Sequence, residues 1–305
     1  MKKRCIKYLD KNVKNDLSGK TIIITGGNSG IGLESAKICA YLKMHVILAV
    51  RSLFRGNEAI KIIKREVPDA DIDLMELDVS KSESIISFVN EIKENKIDID
   101  CFYHNAGIYR QPYQEIENGF DLMLFTNYYG PFILTSMLLD YLHSLNHEVK
   151  MVLTSSVATR WAKQDEHFLA PTKDDSRSVR YGNTKLLDAY LFKYLFENDE
   201  SNIKYFLVHP GTAATALIRK NYPSIAALFV KTFGNPIWKS SLSIARVLSS
   251  EGKPGEFYGP TRVWNLKGYP KENIFINKLY NDVDKVIEQT EDILNIKLLS
   301  QHRDL

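Results

Sequence analysis

Tyr181 and Lys185 fall four positions apart in the run Tyr181-Gly182-Asn183-Thr184-Lys185. On a helix that spacing sets a phenol and an ammonium on one face, one turn apart. A tyrosine phenol ordinarily titrates near pH ~10, so it gives a proton readily but takes one near neutrality only if a positive charge stabilises the phenolate. The pair is a candidate proton donor. Far upstream, Thr25-Gly26-Gly27-Asn28-Ser29-Gly30-Ile31-Gly32 follows the β-branched run Thr21 to Thr25 and precedes apolar residues at helical spacing from Leu33 to Leu42. The glycines therefore sit on a strand-to-helix turn. Residues without Cβ let a pyrophosphate approach the main chain at a helix N-terminus, where free N–H groups and the dipole favour anions.

With 16 tyrosines in the chain, Tyr-x-x-x-Lys says little alone, and glycine-rich turns are ordinary loop punctuation. Order gives them meaning. Between and after the two motifs come Asn105-Ala106-Gly107, Thr154-Ser155-Ser156 and His209-Pro210-Gly211. From about Lys20 to about Thr215 the chain resembles the short-chain dehydrogenase/reductase family, whose Thr-Gly-x-x-x-Gly-x-Gly turn is matched by Thr25 to Gly32. The segments His45 to Arg51 and Arg55-Gly56, with the long stretch from Ser156 to Tyr181, look most like its retinol-dehydrogenase-like branch of lipophilic carbonyl reductases. The resemblance implies hydride transfer between a nicotinamide and a carbonyl or alcohol. Tyr181 would exchange the proton, and Lys185 would lower the cost of the phenolate and hold the nicotinamide ribose. Only one of the adjacent Ser155 and Ser156 can face the site from an extended segment, and the family's register, with Val157-Ala158 following, implies that Ser156 orients the substrate oxygen. Asn127 matches the family's fourth catalytic position, with the implied task of holding a water that links Lys185 to solvent.

The elements that must position these residues alternate strand and helix, the signature of a Rossmann-type, doubly wound α/β sheet with helices on both faces. Strands are expected over Thr21–Thr25, His45–Val50, Ile72–Leu77, Ile99–Tyr103, Lys150–Thr154 and Ile203–Val208. Helices are expected around Asn57 to Glu66, Glu83 to Asn95 and Gly119 to Leu145, and around Tyr181 and Lys185. In such a fold the ligand crevice lies beyond the carboxyl ends of the strands, where every motif above falls. Gly26, Asn28, Ser29, Gly30, Ile31 and Gly32 are thus expected at the pyrophosphate. At the end of the second strand stand Arg51 and Ser52 rather than the acid that would accept ribose hydroxyls, so NADP(H) is expected over NAD(H). The resemblance adds Asp78 and Val79 at the adenine, although a lone Asp at a strand end also reads as a helix cap, as does Ser80. It further places Asn105, Ala106 and Gly107 beside the cofactor ribose, Pro210 and Gly211 near the nicotinamide, and Thr215 on its carboxamide or phosphates. His104 stands where the family often has asparagine, a departure expected to affect packing more than chemistry.

Composition is that of an ordinary globular chain: 305 residues, 44% hydrophobic, 25% charged, formal net charge +3. That charge is too small to imply nucleic acid, and no run of apolar residues is long enough for a membrane span. A cytoplasmic enzyme acting on a small molecule is expected, either as a monomer or as a homo-oligomer. Cys5, Cys39 and Cys101 lack metal-ligand spacing and read as reduced core thiols. His143 and His147 lack a third ligand, and Ser156 lacks a histidine base and a nucleophile elbow, so metal chemistry and hydrolysis are disfavoured. Residues 1–19 read as an extension whose basic start is solvated, and residues 20–305 as one domain. The apolar stretch 216–240, including Phe229 and Trp238, reads either as a substrate lid or as core or subunit contact. Leu279, Val283, Val286, Ile287 and Leu294 form a helical stripe expected to pack on the body of the fold or on a partner. A catalytically idle NADP-binding sensor and a carbon–carbon double-bond reductase remain as alternatives.

Overall fold

Runs such as Thr-Ile-Ile-Ile-Thr are buried on both faces when helices cover each side of a parallel sheet. The computed structural model describes residues 1–116, 119–211, 234–273 and 281–299. An N-terminal helix, α1 (Lys3–Asn12), leads into β1 (Thr21–Thr25), α2 (Gly30–Tyr41), β2 (His45–Val50), α3 (Leu53–Glu66), β3 (Ile72–Glu76), α4 (Ser82–Glu94) and β4 (Cys101–His104). Next come α5 (Leu122–His143), β5 (Val149–Thr154), a short 3-10 turn (Val157–Trp161), α6 (Arg177–Asn198) and β6 (Ile203–Val208). The chain closes with α7 (Ile237–Ser240), α8 (Leu242–Leu248), β7 (Phe257–Arg262), β8 (Lys267–Glu272) and α9 (Val283–Leu294).

The strand order is β3-β2-β1-β4-β5-β6-β7-β8, parallel from β3 to β7, with β8 antiparallel at the edge. Winding reverses between β1 and β4, which makes a switch point there. Alternate side chains feed two cores. Ile23, Phe102 and Met151 join α4, α5 and α6 on one side, while Ile22, Ile24, Cys101 and Tyr103 join α2, α3 and α8 on the other. Among the described residues only Leu122–His143 is long and apolar enough to cross a membrane, and it is mostly buried in the first core.

The basic start is solvated as expected, but the extension behind it is not a free tail. Lys2, Lys3 and Arg4 are exposed, but the helix behind them buries Cys5 and Leu9 in the second core, and the Met1 ammonium pairs with Glu66. Its short amphipathic period was masked by the charges around it. Strands β7 and β8 also went unread, because Gly259, Pro260 and Pro270 break the apolar alternation that marks a strand. The expected C-terminal stripe is α9, whose Val286 and Ile287 pack into the first core; Leu279 lies outside the described residues. So do Thr215, Phe229 and most of 216–240, although Trp238 on α7 packs against the second core. All three cysteines are free and buried.

Candidate active site

At the β1 end the turn is built around missing side chains. Gly26 has φ +67°, and a Cβ there would sit 3.0 Å from the Ala106 Cα; a Cβ on Gly32 would sit 2.5 Å from both the Asn105 Nδ2 and the Gly26 carbonyl. These glycines let the end of β4 lie directly against the turn. Thr25 ties the two together: its Oγ1 accepts from the Asn105 and Ala106 N–H groups, each at 2.9 Å, and its carbonyl accepts from Asn105 Nδ2 at 2.9 Å. Asn28 is half-buried and Ser29 exposed at the N-terminus of α2, where the Ser29 side chain makes no capping bond and the first N–H groups of the helix have no carbonyl of their own helix to bond.

Arg51 is exposed at the end of β2 with no carboxylate partner among the described residues. Ser52 caps α3 by accepting from the Arg55 N–H, which leaves its hydroxyl proton available. Asp78 is half-buried beyond β3 and its Oδ1 accepts from the Ser80 N–H at 3.0 Å and the Ser80 hydroxyl at 2.6 Å. The helix-cap reading is overturned for both residues, since Lys81 is the N-cap of α4. Val79 is buried, with its carbonyl against Gly130 of α5, where a Cβ would come within 1.9 Å. His104 packs against Phe102 and bonds Thr135, so it belongs to the core; burial pushes its pKa down to about 3. Pro210 and Gly211 follow β6, with Gly211 at φ +72° and its N–H donating to His209 Nδ1.

The four candidate catalytic residues converge on the ends of β4 and β5. Ser155 is buried and donates to the Lys185 carbonyl at 2.7 Å, which turns Ser156 the other way, half-exposed. Ser156 Oγ accepts from the Ala158 N–H at 3.2 Å and so starts the 3-10 turn with its own proton still to give. Tyr181 is half-buried on the second turn of α6, with the edge of Tyr109 against its ring at 4.6 Å between centroids. Lys185 is buried; its Nζ donates to the Thr154 carbonyl at 3.0 Å and to Asp188 Oδ2 at 2.8 Å. Burial opposes its charge, but Asp188 and Tyr181 together raise its pKa above the ordinary lysine value. Asn127 lies within a π-helical turn, Phe125–Tyr129, a distortion often found at functional positions. Its side chain clamps the Ile108 main chain in both directions, at 2.7 and 2.9 Å, and donates to Thr184 at 3.1 Å. Gly107 stands where a Cβ would be 3.1 Å from Asn127 Oδ1 and 3.8 Å from Lys185 Nζ.

Residues 20–168 match the family model described as short chain dehydrogenase. Human retinol dehydrogenase 12 is 30% identical over 273 residues, covering 87% of this chain and 85% of its own length. The chain belongs to the short-chain dehydrogenase/reductase family. Its place is in the retinol-dehydrogenase-like branch, which fits a further similarity: the chloroplastic short-chain dehydrogenase TIC 32 B of Brassica napus is 28% identical, with 90% of each chain covered. Among solved structures, an uncharacterized protein from Mycobacterium paratuberculosis superposes with a TM-score of 0.74 at 21% identity, over 96% of this chain and 98% of that one. A short-chain dehydrogenase from Shigella flexneri 2a, complexed with NADP, gives 0.64 at 21% identity, over 80% of this chain and 98% of its own.

This short-chain dehydrogenase/reductase site also uses residues that motif reading missed. A Cβ on Gly182 would lie 2.6 Å from the Ala158 carbonyl and 2.9 Å from the Ala162 nitrogen, so its absence lets α6, which carries Tyr181, rest on the 3-10 turn that Ser156 starts. Asn183 secures the same contact by accepting from the Lys163 N–H at 2.8 Å. Arg180 is buried next to Tyr181, paired with Asp121 at 2.7 Å and donating to the Gln111 carbonyl at 2.9 Å. It ties the loop that carries Tyr109 to the start of α6. No local sequence signal marks these contacts, because each depends on a partner brought near by the fold. The glycine cradle, the uncapped N-terminus of α2 and the unopposed Arg51 together fit a dinucleotide carrying an extra phosphate.

Proposed function

We propose that this protein is an NADP(H)-dependent oxidoreductase that interconverts a lipophilic aldehyde or ketone and its alcohol, with Tyr181 exchanging the proton. The observation that carries the reading is the buried Lys185 ammonium, held on the Thr154 carbonyl and within electrostatic reach of Tyr181, with Ser155 bonded to the Lys185 carbonyl and Ser156 turned the other way. The cofactor, when bound, would supply or accept the hydride at its nicotinamide. The turn from Gly26 to Gly32 and the α2 N-terminus would hold the pyrophosphate, Arg51 and Ser52 would meet the 2′-phosphate, and Asp78 and Val79 would border the adenine. Asn105 to Gly107 form the floor at the ribose, with Asn127 bracing that floor through Ile108. Pro210 and Gly211 border the nicotinamide.

In the direction of reduction, Ser156 donates a hydrogen bond to the substrate oxygen and fixes it for the Tyr181 proton. Lys185 holds positive charge one turn below the phenol, so the phenolate that remains is stabilised. The lipophilic preference draws on the apolar rim: Trp161 is 44% exposed at the end of the 3-10 turn, and Trp264 and Val263 are 72% and 41% exposed on the β7–β8 hairpin. Arg160 joins the two by donating to the Trp264 carbonyl at 3.3 Å. The names of the relatives, retinol dehydrogenases among them, agree with such a substrate.

A panel of aliphatic, aromatic and polyene aldehydes and ketones, followed by NADPH absorbance, tests the proposal. At least one class is expected to turn over, and Tyr181→Phe is expected to lower kcat by about 100-fold or more while the melting temperature and NADPH affinity persist. Full turnover by Tyr181→Phe, or NADPH binding with no carbonyl class reduced, overturns it.

A further inference from the structure

Three residues of α6 stand in a row at helical spacing: Tyr181, Lys185 and Asp188. The last is absent from the sequence motif, and an acid three positions after a lysine ordinarily marks an exposed surface pair of little consequence. Here both partners are buried, Lys185 at 6% and Asp188 at 4% exposure, and the ion pair spans 2.8 Å. The lysine ammonium has two fixed acceptors, the Thr154 carbonyl on one side and the Asp188 carboxylate on the other. Four rotatable bonds are thereby held to one geometry, with the charge one turn from the Tyr181 phenol.

Charge gives the contact a second consequence. Removal from water disfavours an ammonium, and burial is the largest single influence on Lys185. Asp188 reverses that tendency, and its own carboxyl is raised above the usual carboxylate range by the same burial, against the pull of Lys185. The remaining neighbours add no formal charge among the described residues. Tyr128 of α5 stands near Asp188 and bonds Thr290, β5 presents the Thr154 carbonyl, and the β4 end presents Gly107 and, across it, the neutral amide of Asn127.

We propose that Asp188 is a positioning residue of this site: its buried carboxylate anchors the Lys185 side chain and keeps it an ammonium while Tyr181 exchanges its proton. The proposal rests on the reading of Tyr181 as the proton donor. An amide at position 188 retains an acceptor but not the charge, so Asp188→Asn isolates the electrostatic part, and Asp188→Glu restores charge on a longer arm.

The test follows Lys185 directly by NMR of protein labelled at the lysine Cε carbon, with its signal assigned by disappearance in Lys185→Arg. In Asp188→Asn the Lys185 titration midpoint is expected to fall by about one pH unit or more, a tenfold change in proton concentration. Asp188→Glu is expected to bring it back toward the unmodified value. The unmodified protein offers an internal check: Lys185 should show a second, smaller inflection in the acidic range, as Asp188 takes up its proton. An unmoved midpoint in folded Asp188→Asn overturns the proposal. If that variant does not fold, absence of the acidic inflection in the unmodified chain overturns it instead. Since the readout is the lysine signal and not turnover, active Tyr181→Phe would defeat the functional reading while leaving this measurement intact.

Discussion

Arg51 is the side chain on which the proposed discrimination between NADP(H) and NAD(H) rests. It ends β2 as an exposed guanidinium with no carboxylate partner among the described residues, at the strand end where an NAD(H)-selective site needs an acid. Its fork suits a phosphate, and the neighbouring Ser52 hydroxyl can add a donor. Arg51→Ala is therefore expected to weaken NADPH by roughly 1.5 to 3 kcal/mol, about tenfold to a hundredfold, with little change for NADH. Fluorescence titration of both cofactors against both proteins checks this, and parallel losses for NADH and NADPH would count against the assignment. The places of Arg51, Ser156 and Tyr181 at a strand or helix end were legible, because residue type and the flanking pattern suffice to locate them. Asp188 and Arg180 were not. Their effect depends on being buried against one partner, Lys185 or Asp121, and burial is a property of the folded chain.

Between elements, the decisive contact is α6 against the 3-10 turn, because it joins the helix carrying Tyr181 to the strand end carrying Ser156. Gly182 makes it possible, and the atoms a Cβ would strike, the Ala158 carbonyl and the Ala162 nitrogen, are backbone and cannot swing aside. Gly182→Ala is expected to cost about 1 to 3 kcal/mol despite alanine's better helix propensity, since overpacking outweighs a propensity gain of up to ~1 kcal/mol. Turnover should fall further than stability, because the displaced helix carries the phenol away from Ser156. A thermal melt beside a kcat measurement decides: a stabilised, fully active Gly182→Ala would mean the contact is looser than the structure shows. The central strands were legible because apolar runs bounded by turns mark them, and β1, β2 and β6 have the expected limits. The helix expected over Gly119 to Leu145 is Leu122–His143, and the π-helical turn that aims Asn127 has no sequence mark. Strands β7 and β8 and helix α1 escaped notice where proline, glycine or dense charge obscured the period.

For the molecule as a whole, buried histidines dictate how stability responds to acid. His104 and His209 are buried and neutral, with burial pushing each pKa down to about 3 and the Arg160 charge adding to the effect at His209. An unfolded histidine takes its proton near pH ~6.5. Between those values the unfolded chain binds protons that the folded chain refuses, so the contribution is complete above the unfolded pKa and drains away as pH falls toward 3. Each histidine supplies a slope of about 1.4 kcal/mol per pH unit across the middle of that window. Asp188, whose raised carboxyl takes a proton before its unfolded counterpart, works the other way, as do half-buried His143 and His167, whose pKa values are raised by their bonds to Asp199 and Asp175. These two histidines act mainly above the unfolded histidine pKa, where their ion pairs are lost as pH rises. Asp188 opposes one of the two buried histidines within the acidic window, so a net loss on acidification is expected. His104→Asn should expose the balance, since it keeps a polar group near Thr135 and removes one titration. Its stability at neutral pH should be lower, because the ring contact with Phe102 is gone, but its decline between pH ~6 and ~4 should be shallower by about 1 kcal/mol per unit. Urea unfolding at steps of pH and constant salt measures both slopes; equal slopes for the two proteins would mean that His104 does not carry this dependence.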